Sequence, residues 1–420
     1  MTYSRFSTVV YISSPKMASQ DKWRTRAKMI ALAYGLVLVV LLGRQWWNVV
    51  AHNVMPCTQC KSDFLSLYTG GSLLWTDRLS LYDLEKQKNF QVLVQPEQGD
   101  WVLPFLNPPF AAVALVPLAW FSFQSAYFLM SIANLLLLIL SLRQLIRHLD
   151  FSNDQIHWLL LFTVANVGTR IAFFQGQTSY ILLFILTSFF VAWKRGFEIK
   201  AGIWSSLAWF KPQIAAVVLA LTIVPVRWRF LWASAISALL VAASSLVIVG
   251  QKGTQDFLSL MHQAMLGNND LSINAARMHN LRALSISLLP HPWETYLWLS
   301  LTIMVGSKVL KMNFRNATSR SFSERILWIM IAVLLVAPHL HTHDLTLLII
   351  PVAFFLRQCG KQVSATYGFF TILLAVLPFL NLVSVRPLPP LIPLVLLLVF
   401  MLGAKVLPGY GQTEGKQSVN

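Results

Sequence analysis

The sequence predicts an all-α polytopic membrane protein with about 11–12 transmembrane helices. Of its 420 residues, 56% are apolar and only 12% are charged, and the mean hydropathy is +0.60. Soluble globular domains do not have this composition. The 15 tryptophans and 10 tyrosines suit the aromatic belts at membrane interfaces. Apolar runs recur along the chain, many of them near the roughly 20 residues that a helical span needs.

In chain order, the apolar runs cover residues 27–50, 108–121, 124–145, 156–174, 178–193, 201–224, 230–249, 292–310, 326–338, 345–356, 365–382 and 388–406. Several are short, and prolines bound or interrupt them. Broken helices are tolerated in membranes where they line a cavity. The pattern favours one integral-membrane domain, residues 1–408, built as a bundle with a hollow. The polar tail, residues 409–420, is expected to be a disordered cytoplasmic segment.

The amino terminus is basic up to Lys28, and the first apolar run follows it. This run is too long for a cleaved signal and lacks a small-residue cleavage pattern, so it is expected to be a retained span of the cytoplasmic (inner) membrane. The amino terminus is then cytoplasmic. The net charge of +17 is attributed to cytoplasmic loops and contact with anionic membrane lipids, not to nucleic acid.

Lysine and arginine asymmetry places three polar stretches on the extracytoplasmic side: 51–107, 250–290 and 338–344. Two arrangements of the middle remain open. Simple alternation of spans puts the basic loops 143–147 and 194–200 outside, against the positive-inside rule. Re-entrant segments at 108–121 and 201–224 return those loops to the cytoplasm and bring residues 175–177 outside. The three outer stretches are the same in both.

The first outer loop, 51–107, holds most of the early acidic residues. Apolar residues recur at helical spacing over 62–75, which predicts an amphipathic helix at the membrane surface. Asp63 falls at its start, where the helix dipole favours an ionised carboxylate. It is either a candidate base or a simple helix cap. Cys57 and Cys60 either form a small disulfide or remain free thiols.

The third outer stretch contains His339, His341 and His343 followed by Asp344. Histidines two apart on an extended segment, next to a carboxylate, are typical of a metal site. They are also consistent with an active-site role in binding a phosphate or leaving-group oxygen, which is favoured over a metal site, or with a plain structural role. Asp344 is also a plausible helix cap.

Three basic residues are candidates for binding phosphate. Lys211 lies inside an apolar run, where an unpaired lysine is costly and therefore a functional candidate, unless it snorkels to the interface. Arg277 and Arg282 lie in the second outer stretch, where the guanidinium fork suits phosphate. Ordinary contact with lipid head groups is the alternative. No nucleotide-binding motif is present, and neither a metal nor another cofactor is expected.

A series of short motifs along the chain resembles glycosyltransferase family 87. The likeness spans residues 60–350 and rests on the order and spacing of short motifs. These are Asp63, Tyr68, Gly71, Leu81-Tyr82, Asn107-Pro108-Pro109-Phe110, Pro117-Leu118, Gly176-Gln177, Ala201-Gly202, Ala208, Lys211-Pro212, Asn280, Pro338 and His343-Asp344.

The resemblance implies a GT-C type fold and a polyprenol-phosphate-mannose-dependent α-mannosyltransferase-like enzyme. The acceptor would be a glycolipid or polysaccharide hydroxyl on the extracytoplasmic side. Asp63 is the implied base, and His343, with His341 second, the implied essential histidine. The predicted substrate-binding residues are Tyr68, Gln177, Lys211, Arg277, Asn280, Arg282 and His341. Direct displacement with inversion is the expected mechanism.

Two other function classes fit the composition. A transporter or lipid flippase explains the spans and the basic face equally well, although transporters usually show repeated halves and ionisable residues near the midplane. No duplication is visible here, and the acids lie in outer loops. A scaffold subunit without activity predicts that Asp63 and His343 tolerate alanine.

Overall fold

The computed structural model describes residues 63–96, 102–224, 226–266, 275, 278–315, 322–359 and 391–406, with isolated positions between 25 and 47. Across these ranges the chain forms helices and turns, without strands. Cys57, Cys60 and Arg277 lie outside the described residues. So do most of the first predicted span, all of 365–382 and the tail 409–420.

The described part of the chain contains fifteen α-helices. They are α1 Phe64–Thr76, α2 Leu84–Val94, α3 Pro109–Val113, α4 Phe123–His148, α5 Asn153–Ala165, α6 Val167–Phe174, α7 Ser179–Lys194, α8 Glu198–Leu207, α9 Pro212–Thr222, α10 Trp228–Leu266, α11 Leu281–Leu288, α12 Trp293–Arg315, α13 Phe322–Val336, α14 Ile349–Gln358 and α15 Leu391–Val406. Short 3-10 helices include Val116–Trp120, Ala208–Phe210 and Thr342–Leu348.

The helix breaks have local causes. Pro109 and Pro212 occupy first helical positions, where proline's missing N–H costs nothing. The apolar run 156–174 becomes α5 and α6, which meet at 51°. Asn166 caps α6 there, its side chain accepting from the backbone N–H of Gly168 at 3.0 Å. Helix α10 is kinked at Gly250 (φ +69°) and continues past it to Leu266. The second outer stretch, residues 250–290, therefore begins as a helix.

Helix α1 is packed more deeply than an amphipathic surface helix. Its residues from Phe64 to Leu73 are buried almost without exception. Gly70 and Gly71 make this possible, because a Cβ at either position would lie 2.4 Å from the Phe105 ring or 2.6 Å from the Leu115 carbonyl oxygen. Helix α1 therefore anchors the first outer loop inside the protein.

The membrane character predicted from composition is confirmed by the helices. By length and hydropathy, α4 and the Trp228–Ala264 part of α10 can cross a membrane, and the bent pair α5–α6 can form a third span. Shorter apolar helices are Pro109–Trp120, Ser179–Lys194, Pro212–Thr222 and Leu391–Met401. The fold is that of an all-α polytopic membrane protein.

Several helices run between two chemically different ends of the molecule. Helix α7 begins at Ser179, which contacts Asp344, and ends at Lys194, whose Nζ donates to the His148 carbonyl at 2.6 Å. Helix α9 begins beside Lys211, and α13 leads into the turn 338–344. We call the end that holds Asp344 the cluster end, and the end that holds His148 and Lys194 the basic end.

Candidate functional site

Asp63 precedes α1 but does not cap it with its side chain. Its Oδ2 instead accepts a hydrogen bond from Gln177 Nε2 at 2.6 Å. The side chain is 29% exposed, which leaves the carboxylate accessible from one side. Among the described residues, the helix-cap explanation for Asp63 thus has no bond to support it.

The turn between α6 and α7 presents Gln177 to Asp63. Gly176 adopts φ +60°, and a Cβ there would lie 2.8 Å from the Cβ of Phe64, so the turn requires glycine. Asn134 of α4 fixes the same turn, its Nδ2 donating to the Gln177 carbonyl at 3.1 Å. The hydrogen bond between Gln177 and Asp63 requires residues 175–177 to lie on the same side of the membrane as Asp63. The arrangement with re-entrant segments predicts this, whereas simple alternation of spans places residues 175–177 on the opposite side.

The third outer stretch brings His343 between two carboxylates. Its Nδ1 lies 3.8 Å from Asp63 Oδ2, and its Nε2 lies 3.4 Å from Asp344 Oδ2. The second outer stretch supports this turn. The His279 backbone N–H donates to the Leu340 carbonyl at 2.9 Å, and His279 Nε2 lies 3.0 Å from Thr342 Oγ1. The predicted convergence of three outer stretches is therefore observed for their described parts.

Asp344 is the most heavily engaged acid at this end. Its Oδ1 lies 2.5 Å from Lys211 Nζ and accepts from Ser179 Oγ at 3.1 Å. Its Oδ2 accepts from the His341 backbone N–H at 3.3 Å. The side chains of Asp344 and Lys211 are 1% and 8% exposed. We call Asp63, Gln177, Lys211, His343 and Asp344 the aspartate–histidine cluster.

The two carboxyl groups have pKa values displaced in opposite directions. Burial raises the pKa of Asp63 above its ordinary value, although His343, the Gln177 amide and Lys211 oppose the rise. Burial also acts to raise the pKa of Asp344, but Lys211 and His343 outweigh it and hold that pKa well below the ordinary value. Asp344 is thus held ionised, while Asp63 binds a proton more readily than an ordinary aspartate.

His279, His339 and His341 are neutral near pH 7. Burial lowers the pKa of His279 and of His339 to about 4, and it lowers that of His341 well below the ordinary value. The rings of His339 and His341 lie edge to face with centroids 4.4 Å apart. These imidazoles can donate or accept hydrogen bonds but do not supply positive charge.

The remaining predicted residues lie around the cluster or away from it. Arg282 stacks over Trp298, its Cζ 5.5 Å from the ring centroid, and its charge acts on His339. Asn280 caps α11 through Ala283 N and donates to the Ala337 carbonyl. Tyr68 donates to the Phe121 carbonyl at 2.8 Å. Arg282 follows Asn280 at the start of α11, while Asn280 and Tyr68 secure the backbone.

Sequence reasoning missed the partner of Lys211. The sequence pattern allows Asp344 as a helix cap or a metal ligand, and Lys211 as a phosphate-binding cation or a snorkelling side chain. The structure pairs the two, which makes neither charge free. A signal was available, because an apolar run that contains a lysine needs a buried acid, and Asp344 opens another apolar run. Ser179 had no such signal.

Within the described residues, no three His, Cys, Asp or Glu side chains are grouped so that they could hold a metal ion. The geometry of the aspartate–histidine cluster suits proton transfer. It contains an accessible carboxyl group with a raised pKa, an amide that orients it and an imidazole beside it.

The model of glycosyltransferase family 87 matches residues 105–338, more than half of the chain. The chain belongs to glycosyltransferase family 87. It is therefore a membrane glycosyltransferase that takes a sugar from a donor to an acceptor, which favours a transferase over the transporter or flippase. No protein with a curated description and no solved structure matches it. The matched range includes Gln177, Lys211 and Arg282, but Asp63 and His343 lie outside it, so their roles rest on geometry.

Proposed function

We propose that this glycosyltransferase moves a hexose, mannose being the first candidate, from a polyprenyl-phosphate sugar to an acceptor hydroxyl with inversion. The observation that carries the proposal is Asp63. It is partly exposed, oriented by Gln177, and adjacent to His343 and the Lys211–Asp344 pair. A carboxylate whose pKa is raised is a better proton acceptor than an ordinary one.

In the proposed step, Asp63 accepts the proton of the acceptor hydroxyl, which lies within about 3 Å of the carboxylate. The acceptor oxygen forms a bond to the anomeric carbon from the face opposite the leaving group. The bond between that carbon and the phosphate oxygen breaks, and the polyprenyl phosphate leaves with the electron pair. The anomeric carbon passes through oxocarbenium character, as in other glycosyl transfers.

His343 has the position of a group that acts on Asp63. Lying between Asp63 and Asp344, its ring is oriented by the buried acid and faces the accessible one. We assign His343 to holding and polarising Asp63 during proton transfer. Arg282, whose charge reaches the histidine turn, is our candidate for the phosphate of the donor, with Arg277 as a second candidate from sequence.

The positive-inside rule supports an extracytoplasmic reaction. The basic end carries Arg147, Lys194, Arg195, Arg227 and Arg325, at or near the ends of α4, α7, α9 and α13. Such loops favour the cytoplasm. The aspartate–histidine cluster lies at the opposite ends of these helices, so the acceptor would be a glycolipid or polysaccharide outside the cytoplasm.

The test replaces Asp63 by asparagine and measures transfer from labelled polyprenyl-phosphate mannose and polyprenyl-phosphate glucose in membranes. Asp63→Asn should lose turnover by about 10²–10⁴-fold, the usual contribution of general-base catalysis. Asp83→Asn is the matched control, because Asp83 is an outer-loop aspartate that caps α2. Unchanged turnover in normally expressed Asp63→Asn would remove Asp63 from the mechanism. The preferred donor identifies the sugar.

A further inference from the structure

The last turn of α1 carries half of an exposed aromatic pair. The rings of Trp75 and Trp120 meet edge to face, with centroids 5.9 Å apart and planes at 75°. Each tryptophan is 61% exposed, although most of α1 is buried. Leu79, in the 3-10 helix that follows α1, and Phe121, which follows Trp120, are exposed as well. We call Trp75, Leu79, Trp120 and Phe121 the aromatic edge.

Helix α4, which can cross the membrane, begins beside the aromatic edge. It starts at Phe123, shortly after Phe121, and its 26 residues give it a length of about 39 Å. A bilayer with its head groups is about 40–45 Å thick, so the first turn of α4 lies at the depth of the head groups. Trp120 and Phe121, directly before that turn, are therefore at the same depth.

Helix α10 indicates the same depth independently. Its apolar run, residues 230–249, ends at the kink at Gly250, and the exposed Lys252 follows. The side chain of Leu79 lies beside this kink, its Cδ2 3.9 Å from the position that a Cβ on Gly250 would take. The aromatic edge thus lies where both α4 and α10 pass from apolar to polar surroundings.

Tryptophan suits this depth, because its indole has a large apolar face and an N–H group that can bond to water or to lipid head groups. The charges next to Trp75 cancel, since the exposed Asp77 is followed by the exposed Arg78. Attraction to the membrane is therefore apolar and does not require an anionic lipid. In water, the same rings would form an association site for another molecule.

We propose that the aromatic edge inserts into the head-group layer of the membrane, with the rings of Trp75 and Trp120 against the upper parts of the acyl chains. The partner is the lipid surface, which continues onto the exposed apolar face of α4. The sequence predicts that all of α1 lies at the membrane surface, whereas here only its last turn does. Because Asp63 directly precedes α1, the contact ties the first outer loop to the membrane. It does not depend on the proposed sugar transfer.

The experiment attaches one nitroxide spin label at a time to the full-length protein, in a cysteine-free background, reconstituted into phosphatidylcholine vesicles. The edge variants are Leu79→Cys, which keeps both tryptophans, and Trp120→Cys. Power-saturation EPR compares collisions with oxygen, which concentrates in the apolar layer, and with a water-soluble nickel chelate. Asn89→Cys, at an exposed polar position of α2, is the aqueous control, and Leu136→Cys, exposed in the middle of α4, is the acyl-chain control.

At both edge positions the ratio of oxygen to chelate collisions should lie between the ratios of the two controls. A ratio equal to that at Asn89 would place the edge in water, where a soluble partner or a saccharide is its ligand, and would overturn the proposal. So would a ratio equal to that at Leu136, or few collisions with either reagent, which would mean that protein covers the edge. If Trp120→Cys does not fold, judged by size-exclusion chromatography, Leu79→Cys alone decides. Transferase activity is not the readout, so the two proposals fail separately.

Discussion

Asp63 and Asp344 lie on either side of one imidazole, yet their surroundings differ in charge and exposure. Asp344 is 1% exposed and paired with the ammonium of Lys211, whereas Asp63 is 29% exposed and bonded to the neutral amide of Gln177. Burial acts to raise both pKa values, but at Asp344 the Lys211 ammonium and His343 outweigh it, so the two pKa values move in opposite directions. Pairs of acids treated so differently are typical of sites where one acts in proton transfer and the other positions it.

The comparison predicts opposite outcomes for the same substitution. Asp63→Asn should abolish most activity, by about 10²–10⁴-fold, with little change in melting temperature, since an asparagine oxygen can still accept from Gln177. Asp344→Asn should instead lower the melting temperature, because Lys211 is left buried without its counter-charge. Parallel activity and thermal unfolding measurements check both. Equal loss of stability in the two variants would contradict the division of roles.

Removing Lys211 from the buried Lys211–Asp344 pair should lower the stability of the protein nearly as much as removing the charge of Asp344. Lys211→Met leaves the Asp344 carboxylate uncompensated, which should cost about 3–5 kcal/mol of unfolding free energy. The double variant Lys211→Met, Asp344→Leu should recover much of that loss, and a double-mutant cycle measures it. A fully additive cycle would contradict the pairing.

The stabilisation by Asp344 should also depend on pH. Because the folded pKa of Asp344 lies below its unfolded value, its stabilisation is present above pH of about 4 and lost as the pH falls through the folded pKa.

Gly176→Ala should disturb the Asp63 side of the cluster. Both strain at φ +60° and the 2.8 Å approach to Phe64 oppose a methyl group, so a loss of about 1–3 kcal/mol is expected. Gly196→Ala is the matched control, because Gly196 has φ +73° but nothing within 4 Å of its Cβ position. The excess loss at Gly176, measured by denaturant unfolding, reports its packing against Phe64. Equal losses would mean that packing there is loose.

The smallest effect concerns the pH profile. Gln177→Leu removes a hydrogen bond that lowers the pKa of Asp63. That pKa should rise further, so the acid limb of kcat/KM should move to higher pH, because the base must be deprotonated to act. Gln144→Leu removes a comparable amide, bonded to Ser188 far along α4, and should leave the limb in place. If the acid limb of kcat/KM stays at the same pH in Gln177→Leu, the limb does not report the ionisation of Asp63.

Composition and local pattern were enough for the class of protein and for most helices. The apolar runs 124–145, 178–193 and 292–310 correspond to α4, α7 and α12, because each is a local property of consecutive residues. The prolines and glycines that end runs act locally as well. The same reasoning placed α1 on the surface, and the structure buries it, since close approach to Phe105 and Leu115 depends on residues 30–50 positions away.

The sequence by itself determined an all-α membrane fold and a glycosyltransferase family likeness, and it predicted three outer stretches with acids, histidines and arginines. Only the tertiary structure decided which of these charges meet. Lys211 and Asp344 are 133 residues apart, and Gln177 and Asp63 are 114 apart. Whether a lysine is a free cation or a neutralised partner depends on the one atom within a few ångströms of it. That distance is a property of packed helices, not of sequence neighbours.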